Sequence, residues 1–581
     1  MYPEQRGPTQ ETPPPYSGPP SQTSTEVADD RRRTDALGSD ATRHLCAAAY
    51  IDDGFRDECL REVLHQRRRI VAPSYGFDLV TVLGHCQRAR NIAIYRDAAI
   101  LGLAVVTACL SASSLLVAII LLIELNVVMA TYRLLRASFR QLRGGNLRIR
   151  SLMTSLWANA LNVVASVVLL FIAYGIFTAL SRDALVGAAF GQPDALLTAS
   201  LGGILLFFVF MGLPVGAHIW RQAALDGLAP GRQPAPPGNS PRYAEINGQL
   251  GGNTVIYSGG EPFVGSGEIF WSWGFALRLV RANNDPLSVL TQTEADREFE
   301  SPPFTGEELV NHLRGELEPL RHDRRPEWAL PGLAIEDRIF LSGTETVRLS
   351  PWTSPEMISR VIRHPVAPAR HYLAFQVVSW RGELVATVYV HVAVQGKSLY
   401  VELTSTVLTP CRPEYRIVDS FDAHGPLAYL RAIRRGLLDA PRTIGGAVGS
   451  LVRAGMDAIA TVTRSTAAEA LLPRGFDYGA RESVRELGME DDVYDHLQGQ
   501  EILKHSRVVE RRVMAAILDF LEAREVDIVE YRAQAANVLN VGAVNSGSGN
   551  MNIGPMQVGG QQNNNSAPRP RGAAPGPKGA S

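Results

Sequence analysis

Residues 98–132, AAILGLAVVTACLSASSLLVAIILLIELNVVMATY, decide the architecture of this chain. They carry one charge, Glu124. A single straight helix of this length would be roughly 52 Å long at about 1.5 Å per residue. That is far more than the ~30 Å hydrocarbon core of a bilayer. Near the middle, Ser111-Ala112-Ser113-Ser114 offers a turn of small polar residues. The pattern therefore predicts a helical hairpin, Ala98–Leu110 and Leu115–Tyr132. Two further uncharged runs, Ser151–Ser181 and Ala195–Trp220, each exceed the ~20 residues needed to cross a membrane.

The flanking charges favour the hairpin. Arg67–Arg69, Arg88, Arg90 and Arg96 precede it, and Arg133, Arg136, Arg140, Arg143, Arg148 and Arg150 follow it without an acid. Basic loops stay in the cytoplasm, so an even number of crossings must separate these two. Arg182–Asp194 has one arginine against two aspartates and suits the outside. The expectation is four transmembrane helices with both termini cytoplasmic. Three is the alternative if residues 98–132 cross only once.

The rest of the chain divides by composition. Residues 1–42, with Pro13-Pro14-Pro15-Tyr16, are rich in Pro, Ser, Thr and charge and form a disordered tail. Residues 43–95 read as a small helical cytoplasmic segment, and a helix around Asp78–Ala93 leads into the membrane block, 96–222. A Pro/Gly linker, 223–242, is expected to be extended and mobile. Residues 243–425 read as a cytoplasmic α+β domain. Ile269, Trp271, Trp273, Phe275, Leu277 and Leu279 alternate as in a half-buried strand. Tyr372–Ser379, Leu384–Val394 and Leu399–Leu408, joined by short Gly-containing turns, predict an antiparallel β-meander. A helix is expected at Gly306–Leu320. Residues 426–540 are helical, with Ile502, Val509, Val513, Ile517 and Phe520 on one stripe. Residues 541–581 form a disordered Asn/Gly/Pro-rich tail.

No catalytic signature emerges. Five cysteines occur without a C-x-x-C pair and no H-E-x-x-H is present, so neither a metal nor another cofactor is expected. Net charge is −1, which gives no general attraction to nucleic acid. The intramembrane polar candidates are Glu124, Asn126, Asn159 and Asn162. An ionisable residue at the bilayer centre is costly and points to pairing or ion chemistry. Gly259, Gly260, Gly265 and Gly267 form weak ligand-loop candidates, because successive backbone N–H groups can cradle an anion. Gly212 and Gly216 frame Pro214 in a G-x-x-x-G pattern suited to close helix packing. His364, His371 and His391 can approach one another near Glu383 or Glu402. Pro441–Arg464, apolar with few charges, can lie on the membrane surface or pack on the soluble domain.

The pieces ATRHLCAAAYIDDGFRDECLREV, VAPSYGFDLVTVLGHCQRAR, ARHYLAFQVVSWRGELVATVYVHVAVQGKSLYVE, FDYGARESVREL and ERRVMAAILDFLEAREVD, with the apolar block, resemble a group of uncharacterised multi-pass membrane proteins from actinobacteria. The near absence of lysine, with only Lys397, Lys504 and Lys578, suits such a source. The resemblance implies this architecture and carries no activity. The expected function is a membrane anchor for a cytoplasmic domain that binds a protein partner or ligand. The partners are then the bilayer, a cytoplasmic protein and a second copy through the membrane helices. Alternatives are an enzyme sited in the β-meander and a small oligomeric transporter or channel using Glu124.

Overall fold

The computed structural model describes residues 39–143 and, apart from short gaps, 195–541; beyond these it describes isolated helical positions between 157 and 175 and the pair Met556–Gln557. The expected run Ser151–Ser181 falls largely outside the described residues, as do Arg182–Asp194 and most of both tails.

Helix α1, Asp40–Ile51, starts where Ser39 Oγ accepts from Thr42 N–H at 3.1 Å. Helix α2, Asp53–Glu58, runs on into a π-turn at Cys59–Leu64. Helix α3 runs unbroken from Leu79 to Leu110, capped by Asp78, whose carboxylate accepts from the N–H groups of Val80 and Thr81. The helix around Asp78–Ala93 and the first apolar helix are thus one rod. Their junction is the pair Arg96–Asp97 at 2.7 Å, with Asp97 fully buried. At Ser111 the backbone leaves the helix (φ −159°, ψ 89°), and α4, Ala112–Arg143, begins. The break falls within the expected turn. Helix α5 is Ala195–Asp226. Leu79–Leu110, Ala112–Tyr132 and Ser200–Asp226 are long and apolar enough to cross a membrane.

Helices α4 and α5 meet at Gly202 and Gly203. A Cβ on Gly203 would lie 2.5 Å from the Val117 side chain, and one on Gly202 would lie 2.8 Å from Ser114 Oγ. Glycine here lets the backbones approach. At Gly212 and Gly216, by contrast, an added Cβ would meet nothing within 4 Å among the described residues. Close packing between described helices is found instead about two and a half to four turns earlier, at Gly202 and Gly203.

Of the linker expected at 223–242, residues 232–240 are neither helix nor strand, and they are held. Arg88 donates to the carbonyls of Ala235 (3.2 Å) and Pro236 (2.6 Å), and Pro237 sits against Gly84. Helix α6, Pro241–Leu250, follows.

The remaining elements are β1 (Thr254–Tyr257), β2 (Glu268–Arg278), α7 (Gly306–His322), β3 (Leu333–Ser342), α8 (Pro355–Arg363), β4 (Arg370–Ser379), β5 (Leu384–Gln395), β6 (Ser398–Leu408), α9 (Pro426–Thr463), α10 (Val484–Gly488), α11 (His496–Ala523), α12 (Val529–Val541) and β7 (Met556–Gln557). They form a mixed sheet in the order β1-β3-β4-β5-β6-β2-β7. The β4–β5–β6 meander is antiparallel. Gly396 and Lys397, both at positive φ, make its two-residue turn between the paired Gln395 and Ser398. Strand β1 pairs parallel to β3.

Both faces of the sheet are covered. On one, Leu373, Phe375, Val388, Val390, Val401 and Leu403 pack against Leu313 of α7 and Val509, Val513 and Ile517 of α11. On the other, Tyr372, Ala374 and Tyr389 meet Phe340, Phe263 and the N-terminal residues Ile70 and Ala72. Strand β5 is therefore buried from Leu384 to Ala393, which is why LVATVYVHVA lacks a polar side. A third cluster unites Leu79, Leu83 and Ile92 of α3 with Ala217 and Leu228 near the end of α5 and with Tyr415, Val418 and Val484.

Substituting Gly203→Leu should force α4 from α5 and cost about 1–3 kcal/mol, the usual penalty for overpacking. Thermal unfolding of the full chain in detergent, followed by tryptophan fluorescence, should show a lowered midpoint for this variant and little change for Gly212→Leu.

Candidate functional site

Helix α1 places Arg43 and His44 side by side, both buried. Opposite them lie three pieces of the sheet domain. Glu383 stands at the foot of β5, after a tight turn in which Trp380, Arg381 and Gly382 all have positive φ. Cys411 and Asp419 follow β6. Arg485 comes from α10 and is completely buried.

These groups form one ionic network. His44 Nδ1–H donates to Glu383 Oε1 at 2.7 Å, and Nε2–H donates to Asp419 Oδ2 at 2.8 Å. The second Glu383 oxygen accepts from the Cys411 backbone N–H at 2.7 Å. Arg43 donates to Asp419 (2.5 Å), Asp40 (2.9 Å) and the Leu228 carbonyl (3.2 Å). Arg485 donates to the carbonyls of Glu383 (2.7 Å) and Thr409 (2.6 Å). Its Nε and Nη1 have no hydrogen-bond partner among the described residues.

The protonation states follow from these partners. Burial alone would strip the proton from His44. Hydrogen bonds to Asp419, to the Cys411 group and to Glu383 outweigh it and hold the imidazolium up to about 11. Burial raises Glu383, but the bond to His44 and the nearby Arg485 charge bring it down to about 2. Asp419 is likewise brought to about 2 by His44 and Arg43 against the effect of burial. Burial raises the Cys411 thiol, so it is a neutral thiol and not a nucleophile.

His44, Glu383 and Cys411 each bring one donor atom within 4.8 Å of the others. Such a donor set suits zinc in kind. Here, however, both imidazole nitrogens already face carboxylates, the thiol keeps its proton, and a buried guanidinium adjoins the same carboxylate. The arrangement acts as an ion-pair clamp, in which Arg43 and His44 are matched by Asp40, Glu383 and Asp419 while the buried Arg485 is held by backbone carbonyls. Sequence spacing could not reveal it, because His44 and Glu383 are 339 positions apart. The retrievable signal was the conjunction of Arg43 and His44 inside an Ala-rich helix that has no polar face of its own.

The candidates read from sequence lie elsewhere. Glu124 sits half-buried on α4, its Oε1 enclosed without a hydrogen-bond partner among the described residues. Asn126 is exposed on the same helix. Asn159 and Asn162 lie outside the described residues. Gly259 and Gly260 form an exposed turn. The N–H groups of Gly265 and Gly267 do converge on an anion: they donate to Glu486 Oε1 at 2.8 and 2.9 Å. The cradle is filled by the chain's own carboxylate. Gly267 has φ +85°, and a Cβ there would fall 2.0 Å from the Val407 carbonyl. Two of the three histidines do come together: His391 donates to the His371 carbonyl at 2.8 Å and is paired in register with Glu402, His371 bonds Asp337 at 2.8 Å, and only His364 stands apart, exposed.

Substituting His44→Gln leaves the buried Glu383 carboxylate without its hydrogen-bonded cation, while the exposed Asp419 keeps Arg43, and should cost about 3–5 kcal/mol. The pH response has a defined sign. His44 binds its proton more tightly when folded, so its contribution is complete below about 6.5 and drains away as pH rises toward 11. The contributions of Glu383 and Asp419 are complete above their ordinary values of 4.5 and 3.8 and are lost as pH falls toward 2. Melting curves of the full chain in detergent should therefore show an alkaline decline that His44→Gln reduces. Dialysis against a chelator should leave the midpoint unchanged; a fall reversed by added zinc would make the cluster a metal centre.

No curated protein and no solved structure matches this chain. A family model described as an AbeC-like domain, of a family without known activity, matches residues 272–555, from inside β2 to beyond α12, and so contains Glu383, Cys411, Asp419 and Arg485 but not His44.

Proposed function

We propose that the chain is an integral membrane protein that fixes a large α+β domain at the inner face of the bilayer, where the domain binds a protein partner or ligand. In this reading α3, α4, the apolar run Ser151–Ser181 and α5 make four crossings, and both termini are cytoplasmic.

The observation that carries it is the shared core at one end of the apolar helices. The start of α3 and the end of α5 enter the same hydrophobic cluster as Tyr415, Val418 and Val484 of the sheet domain. The arginines at that end are Arg88, Arg90, Arg96 and Arg221. A domain rooted among them belongs on the cytoplasmic side. Four features make the attachment rigid: the His44 clamp, the strapped Pro/Gly segment, the buried Asp97 and the packing of α9. A flexible tether would have needed none of them.

The continuity of α3 also supports the first crossing. Ala98–Leu110 alone is short, but Ile92–Leu110 is roughly 28 Å long at about 1.5 Å per residue. Within it the only charges, Arg96 and Asp97, neutralise each other at 2.7 Å.

Cysteine accessibility in intact cells tests the topology. In a Cys109→Ser background, which removes the exposed thiol, Ser113→Cys should react with an impermeant maleimide from outside. Gly144→Cys and Gln233→Cys should react only after permeabilisation. Outside labelling at Gly144 would refute four crossings; at Gln233 it would refute a cytoplasmic domain.

A further inference from the structure

We infer that the second half of α9, from Ile444 to Ile459, is a wedge embedded in the inner leaflet beside α3 and α5, its outward stripe in contact with lipid acyl chains. This rests on the reading that a bilayer surrounds α3–α5.

The inward side of the wedge is joined to the apolar helices. Ala447 and Ile444 lie in one cluster with Ile100 of α3, Ala118 of α4 and Leu206 and Phe210 of α5. Two polar groups of this segment, Ser450 and Asp457, are engaged by α3. Ser450 donates to the buried Asp97 carboxylate, and Asp457 pairs with Arg90 at 2.9 Å. The outward side is apolar. Val448, Val452, Met456 and Ile459, spaced by four, four and three residues, are 56%, 55%, 57% and 66% exposed. That spacing puts them on one helical stripe. Val105 and Val106 of α3 are equally bare, at 56% and 55%. A stripe that adjoins membrane-facing helices and carries no charge of its own is a surface made for hydrocarbon. Arg453, which follows Val452, has a side chain long enough to reach the headgroups.

The depth follows from the order of contacts. Before Pro441 the chain tracks α5: His424, just ahead of α9, bonds Asp226 at 3.1 Å, and Gly436 of α9 lies against Val215. Beyond Pro441 and the Gly445–Gly446 pair it tracks α3 in reverse, from Ile100 to Asp97 to Arg90. Ile100 is only about 6 Å along α3 from Arg96 at 1.5 Å per residue. These contacts keep the segment within one leaflet, about 15 Å deep, and it does not cross. It lies inside the matched family domain, so that domain carries its own lipid contact.

The test uses the full chain with Cys109→Ser, a single cysteine at Val452 or Met456, and an environment-sensitive fluorophore on it. The protein is placed in nanodiscs of phosphatidylcholine and phosphatidylglycerol with or without brominated acyl chains. Val105→Cys on α3 is the lipid reference and Gln233→Cys the aqueous one. Quenching by brominated lipid at Val452 and Met456 within about twofold of Val105, and several-fold above Gln233, is expected. Quenching no greater than at Gln233, with Val105 still quenched, would overturn the wedge and leave the membrane reading standing. Blue-shifted emission without such quenching would mean a protein cover and would overturn it too. Loss of quenching at Val105 as well would remove the membrane reading itself.

Discussion

One imidazolium between two carboxylates holds the far ends of this protein together. His44 answers the charge of both Glu383 and Asp419, and Arg43 shares Asp419 with it. Arg43, His44 and Glu383 could not be buried alone, because an isolated charge in a protein interior costs far more than a fold can spare, and Asp419 answers two of them from the exposed side. Each is tolerable only while the others are present. The N-terminal helix, the base of β5, the segment after β6 and α10 must therefore meet at one point. The third core cluster forms around that point, and through it the start of α3 and the end of α5 are held to the sheet.

Patterns that repeat along the chain were legible in the sequence. The alternation of β2, the meander, the stripe of α11 and the break near Ser111 all follow from local periodicity or turn chemistry, and the structure has each of them. What was not legible depends on residues brought together from a distance. The G-x-x-x-G motif at Gly212 and Gly216 suggested a close crossing, but the tight approach uses Gly202 and Gly203, which are set by what α4 presents opposite them. The Pro-rich segment looked mobile because composition reports stiffness but not the arginine that holds it. The Gly265–Gly267 loop was offered only as a weak ligand-loop candidate, and the fold brings Glu486 to its two N–H groups.

The long helix α9 joins these two themes. Its composition allowed either a surface helix or a packed one. It proves to be packed, and against the apolar helices rather than the sheet. Ser450 and Asp457 are engaged by Asp97 and Arg90, and the stripe of Val448, Val452, Met456 and Ile459 is left without polarity. The family match begins in β2 and includes α9, whereas the partner surface on α3 and α5 lies upstream of it. Half of this interface belongs to the matched domain and half to the helices that precede it.

The separation of His44 from Glu383 has a consequence for biosynthesis. At ordinary translation rates of about 5–20 residues per second, the 339 positions between them take on the order of tens of seconds to emerge. During that interval the apolar helices are already made, while Arg43 and His44 have no acids from the sheet to bury against. The N-terminal helix must wait, hydrated, beside helices already in place. Maturation of this protein thus ends as a ring closing: the last-made half returns to the first, and α1 is among the last elements to find its seat.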